Sequence, residues 1–277
     1  MLWKNKYRST NVQDLRTHKP ANAAAVGFVV IAATLASWLQ WGPQLPDTLV
    51  AQVPAGPIVR TNFGSTDVLF VETIAGSLEI VWAGIFAANK QMWREPAIIL
   101  FNDRVQAGAC GPATSDIGPF YCPANNTVYL DLTFFANVDA NLGIVGDTVI
   151  AYVIAHEVGH HVQTLTGKLQ QVFAQRRSLP PAAANALLVR LELQADCYAG
   201  VWLNHSKAML EPGDLAEASN SAARIGDDWL QSRTGMAVPD TFTHGTSEQR
   251  VGWLLRGWQS GNWEDCDTFG SKVVLGD

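Results

Sequence analysis

The chain has 277 residues, 48% hydrophobic and 16% charged, with a formal net charge of -6. That is apolar material for one large domain or two small ones, and it excludes a wholly disordered chain. No basic run lies beyond the first twenty residues, which argues against a nucleic-acid partner.

Residues 1–20 form a basic tail in which Lys4, Lys6, Arg8, Arg16 and Lys19 face only Asp14. From Ala21 to Leu39 no charge occurs over 19 positions, close to the ~20 residues that cross a bilayer. Residues 21–41 therefore read as a transmembrane anchor, with Trp38 and Trp41 at its far interface, the N-terminus cytoplasmic and everything beyond extracytoplasmic. A cleaved signal peptide and a buried Ala-rich helix compete with that reading, and the signal peptide agrees with it on export. Residues 42–60, with Pro43, Pro46, Pro54 and Pro57, suit a linker, and residues 61–277 the domain.

Within that domain, apolar residues recur at helical spacing from Val68 to Asn89. Ala97 to Phe101 and Thr127 to Leu132 read as short strands, the second a possible edge for an extended substrate. Further helices are expected over Thr148–Leu165 with Asp147 as N-cap, from Pro180 and Pro181 to about Asn204, over Leu215–Leu230, and over Glu248–Trp258. The sum is one α+β domain, mainly helical with a small β-sheet, behind a single N-terminal transmembrane helix. Four cysteines in an exported chain read as two bridges. A bond between Cys110 and Cys122 can close a Gly/Pro-rich loop, which leaves Cys197 with Cys266, although four cysteines allow three connectivities.

Residues 156–160 read His-Glu-Val-Gly-His, the H-E-x-x-H zinc pattern on a predicted helix. Positions four apart share a helix face, so His156 and His160 can hold one Zn²⁺ while Glu157 approaches its open side as general base. A third ligand is needed. Glu192 on the next predicted helix is the first candidate, with Asp196, one turn on, accepting the free N–H of a ligand histidine; His205 or Asp196 could substitute on ligand chemistry alone. His161 points about 100° away from His160 and reads as structural or rim-exposed.

The segments His156 to Gln163, Glu192 to Trp202 and Thr243 to Arg250, with Ser9 to Arg16 and Pro119 to Pro123, resemble the neutral zinc metallopeptidase family of bacterial membrane-anchored proteins, the YpfJ type. The resemblance spans nearly the whole chain. More distantly, His-Glu-x-x-His with Glu-x-x-x-Asp is similar to thermolysin-like gluzincins and to membrane-linked prenyl-protein proteases. The latter often carry His-Pro where this chain has His244-Gly245, ahead of Arg250. The resemblance implies a gluzincin-like zincin fold, one zinc ion and a protein or peptide substrate. His244, with Arg250 behind it, is the candidate second donor to the oxyanion. The competing reading is a non-catalytic zinc-containing binding or assembly factor.

Overall fold

A computed structural model describes residues 1–16, 65–132, 134, 146–233 and 235–270. The expected anchor at 21–41 and linker at 42–60 lie outside those residues. In chain order the elements are β1 (Val12–Asp14), α1 (Ser65–Ala88), β2 (Ala97–Phe101), β3 (Arg104–Gln106), β4 (Pro112–Thr114), β5 (Phe120–Cys122), β6 (Thr127–Asp131), α2 (Asp147–Leu165), α3 (Lys168–Arg176), α4 (Pro181–His205), α5 (Asp214–Arg224), α6 (Asp227–Ser232) and α7 (Ser247–Ser260). The described domain is α+β and mainly helical, as the periodicity predicts.

The sheet runs β1-β2-β6-β5, with β1 and β6 parallel to β2 and β5 antiparallel to β6. All five residues of β6 are buried and the strand is paired on both sides. The expectation that Thr127–Leu132 offers an edge is thereby corrected: the terminal strand on that side is β5. In a separate ladder, β4, inside the loop that Cys110–Cys122 closes, pairs antiparallel with β3, which precedes that loop.

Helix α1 turns Ile74, Leu78, Trp82 and Phe86 into the core, where a repeat of four keeps them on one face. By length and composition, Asp67–Ala88 is the one described helix that could cross a membrane, yet 44% of its apolar window is buried inside the domain. The same core takes Tyr152, Ile154 and Val158 from α2 and Leu193, Val201 and Trp202 from α4. Helices α4 and α7 cross backbone to backbone, since a Cβ on Gly257 would lie 1.9 Å from the Cys197 carbonyl oxygen. Cys197 is bridged to Cys266, which ties the turn after α7 to α4.

Two local expectations are revised. Asp147 is the first residue of α2 rather than its cap, a position held by Gly146. The single helix expected over Leu215–Leu230 is two helices, parted at Gly226, an extended residue where a Cβ would sit 2.4 Å from the Ser247 nitrogen. Residues 1–16 pack on the domain. The Ile98 N–H donates to the Asn11 carbonyl at 2.9 Å and the Leu15 N–H to the Leu100 carbonyl at 2.9 Å. Nδ2 of Asn11 donates to Glu79 at 2.9 Å. Gly76 of α1 makes the room: a Cβ there would meet the Tyr7 ring at 2.7 Å and the Ser9 nitrogen at 3.0 Å.

Candidate metal centre

Helices α2 and α4 build the centre across an unusually close contact. A Cβ on Gly159 would lie 3.0 Å from the Ala195 Cα, so glycine lets the two helices approach where their polar side chains meet. His156 and His160 flank Gly159 on one face of α2, and Glu192 and Asp196 flank Ala195 on α4. Nε2 of His156 stands 3.1 Å from Glu192 Oε2, and Nε2 of His160 stands 3.4 Å from Glu192 Oε1. Tetrahedral ligands about 2.0–2.1 Å from a zinc ion are spaced ~3.3 Å apart, so these donors fit one ion. Their two Nδ1 atoms point elsewhere, to Asp196 and Gln163, which leaves both Nε2 atoms directed at the shared carboxylate.

Asp196 is fully buried and serves three neighbours. It accepts from His156 Nδ1 at 2.8 Å, from the Tyr152 hydroxyl at 2.5 Å, and from Arg250 through Nε at 2.9 Å and the terminal nitrogen at 3.0 Å. Burial alone would push this carboxyl up, but the Arg250 guanidinium and His156 hold it below the usual range. Arg250 makes a two-pronged bond to Asp196, and its charge also reaches His244, where it opposes protonation. Tyr152, one turn before His156, was legible from helical spacing alone.

Glu157 is buried beside the two histidines, and burial pushes its carboxyl up to about 7, with His156 opposing and Glu192 adding to the rise. The Tyr121 N–H of β5 donates to it. Glu192 moves the other way: burial raises it, but His160 and the hydrogen-bonded His156 outweigh that and hold it far down. An ionised Glu192 between two imidazoles is what a divalent ion requires.

His244 arrives from the α6–α7 loop. Oδ2 of Asp227 accepts the backbone N–H groups of Thr243, His244 and Gly245 at 2.7, 2.6 and 3.1 Å, and Nδ1 of His244 lies 3.2 Å from Oδ1. Burial lowers the proton affinity of His244, but Asp227 and the charge of Glu192 raise it above the ordinary imidazole value. Asp227, seventeen residues upstream of His244, left no local signal in the sequence.

The other two histidines among the described residues are held by other bonds. His161 is fully buried between the Tyr121 hydroxyl at 2.9 Å and the Arg94 carbonyl at 2.6 Å, the structural role rather than the rim. His205 bonds the Gly261 carbonyl at 2.9 Å at the far end of α4. A second acidic group, Asp147, Asp214 and Glu217, already meets a cation, with the Met1 ammonium 3.0 Å from Asp147 and 3.5 Å from Asp214.

Comparison with known proteins points the same way. The model of a family described as "putative neutral zinc metallopeptidase" matches residues 1–269. The uncharacterized protein YpfJ of Escherichia coli is 38% identical, over 99% of this chain and 100% of its own length. An uncharacterized protein of Mycobacterium tuberculosis is 40% identical, over 74% of this chain and 71% of its own. No solved structure matches.

Proposed function

We propose a function that starts from family membership: the chain belongs to the neutral zinc metallopeptidases, and we read it as an endopeptidase that holds one zinc ion on His156, His160 and Glu192. The observation that carries this reading is the convergence of the two Nε2 atoms on Glu192 at 3.1 and 3.4 Å, with Glu157 next to it and set aside from the ligand set. Bound there, zinc supplies a Lewis acid that acidifies a water and polarises a carbonyl.

The chain's own groups do the rest. Glu157, with its carboxyl lifted to about 7, is suited to take a proton at neutral pH and hand it to the leaving amine. Asp196, charged through Arg250, keeps the proton on His156 Nδ1. His244, held by Asp227, is the donor for the substrate carbonyl oxygen. The outer edge of β5, whose Tyr121 N–H already reaches Glu157, suits an extended substrate backbone better than the interior β6.

The two disulfides support an oxidising, extracytoplasmic location, and the apolar run from Ala21 to Leu39 supports membrane attachment. The pairing of β1 with β2 supports placing residues 1–16 in the compartment of the domain rather than in the cytoplasm.

The deciding experiment uses the full-length chain in detergent, because a fragment starting at 61 would lack β1. Wild type is expected to carry one zinc and cleave an unfolded protein, whereas Glu157→Gln keeps the zinc and loses about 10²–10⁴-fold in rate. Equal zinc with no cleavage of any substrate by wild type would favour the binding-factor reading.

A further inference from the structure

Resting on that metal site, we infer that Gln163 is a positioning residue: it fixes the proton of His160, and is itself set by a buried amide relay that ends on the Cys266 carbonyl. Nε2 of Gln163 donates to the Leu191 carbonyl at 2.7 Å and to Gln194 Oε1 at 3.2 Å. Nε2 of Gln194 donates to the Cys266 carbonyl at 2.9 Å. Oε1 of Gln163 lies 2.9 Å from His160 Nδ1.

Backbone carbonyls only accept, and that decides the direction of the whole chain of bonds. The Leu191 carbonyl turns the NH₂ of Gln163 toward α4 and so its oxygen toward His160. Nδ1 of His160 must then carry the proton, which leaves the Nε2 lone pair facing Glu192. The Cys266 carbonyl likewise turns the NH₂ of Gln194 outward, so its oxygen faces Gln163. Gln163 and Gln194 are 0% and 4% exposed, so no water competes for these bonds.

The outer end of the relay is anchored. Cys266 is bridged to Cys197, and Thr268 Oγ1 donates to the Arg190 carbonyl at 2.7 Å, so the C-terminal turn is fastened to α4 on both sides of Gln194. The two ligand histidines are therefore oriented by unlike means. His156 leans on a charged carboxylate, His160 on a neutral amide, so the relay fixes geometry and tautomer without adding negative charge to the site.

The test reads the proton directly. Imidazole ¹⁵N NMR on the metal-free, full-length protein is expected to find His160 in its Nδ1–H form, and to find both tautomers in Gln163→Leu. Zinc affinity, read by chelator competition, is expected to fall about 10–100-fold in Gln163→Leu. Gln194→Leu should lose less, because Leu191 still orients Gln163, and the double variant should lose no more than Gln163→Leu. An Nε2–H form in wild type overturns the inference, and this result needs no variant to fold. Wild-type tautomer and affinity in Gln163→Leu overturn it as well, and additive losses in the double variant remove Gln194 from the relay. A protein with the Nδ1–H form that binds no zinc leaves the relay standing and sinks the metal site instead.

Discussion

Asp227 touches no ligand atom of the centre, yet it gathers three backbone N–H groups and one imidazole nitrogen onto a single buried carboxyl. Burial pushes that carboxyl up, but His244 and the backbone N–H bonds win and hold it below its ordinary value. Its stabilisation is thus in force above the unfolded aspartate value of about 3.9 and drains as pH falls through the folded one. His244 has the opposite sign: its raised pKa contributes fully below about 6.5 and is lost as pH rises through the folded value. Asp227→Asn should therefore cost most between pH ~4 and ~6.5, by roughly 1–3 kcal/mol, and less at either extreme. Thermal unfolding of both proteins across pH checks this, and a constant gap from acid to alkaline pH would refute it. The same residue marks the limit of reading a site from sequence. His156 and His160, like Glu192 and Asp196, are legible because a spacing of four puts each pair on one helix face, and Glu157 because it completes the His-Glu-x-x-His pattern. Asp227 and Gln194 act across tertiary contacts that no local spacing encodes.

At the scale of elements, ligand geometry depends on how closely α2 and α4 can approach. Alanine for glycine inside a helix ordinarily stabilises by about 1 kcal/mol. At Gly159 the sign should reverse, because the new Cβ meets the Cα and carbonyl oxygen of Ala195 at 3.0 and 3.1 Å, and backbone cannot step aside. Gly159→Ala is expected to cost about 1–3 kcal/mol and to weaken zinc binding as well, since Ala195 sits between Glu192 and Asp196. Calorimetry with chelator competition measures both; a more stable variant with unchanged zinc affinity would show that helix spacing does not set the site. Element legibility follows the same logic. Helices α1, α2 and α4 announce themselves because each carries a long apolar stripe. The break between α5 and α6 falls at Gly226, whose tight approach to Ser247 is a tertiary contact, and β1 is too short and too polar to signal a strand before its partner β2 is known.

For the molecule as a whole, the question is how a basic tail and a disulfide-bonded domain come to share one sheet. A +4 stretch ahead of a 19-residue apolar run favours cytoplasmic retention of the tail. Against that stand the ladder Val12–Ile98, Gln13–Ile99 and Asp14–Leu100, the bond from Asn11 to Glu79, and the space left by Gly76 for Tyr7. A bilayer cannot pass between hydrogen-bonded strands, so wherever β1 is paired with β2 residues 1–16 share a side with the domain. The pair Asn11→Cys and Glu79→Cys tests this in intact cells, because the two side chains already meet at 2.9 Å. A cross-link between positions 11 and 79 is expected, with position 11 labelled by a membrane-impermeant maleimide applied outside when Asn11→Cys stands alone. Should the pair oxidise readily in purified protein but stay reduced in cells, with position 11 labelled only after the membrane is opened, the tail lies opposite the domain. In that case β1 can dock only in chains whose tail has crossed, and attachment by a single span would stand.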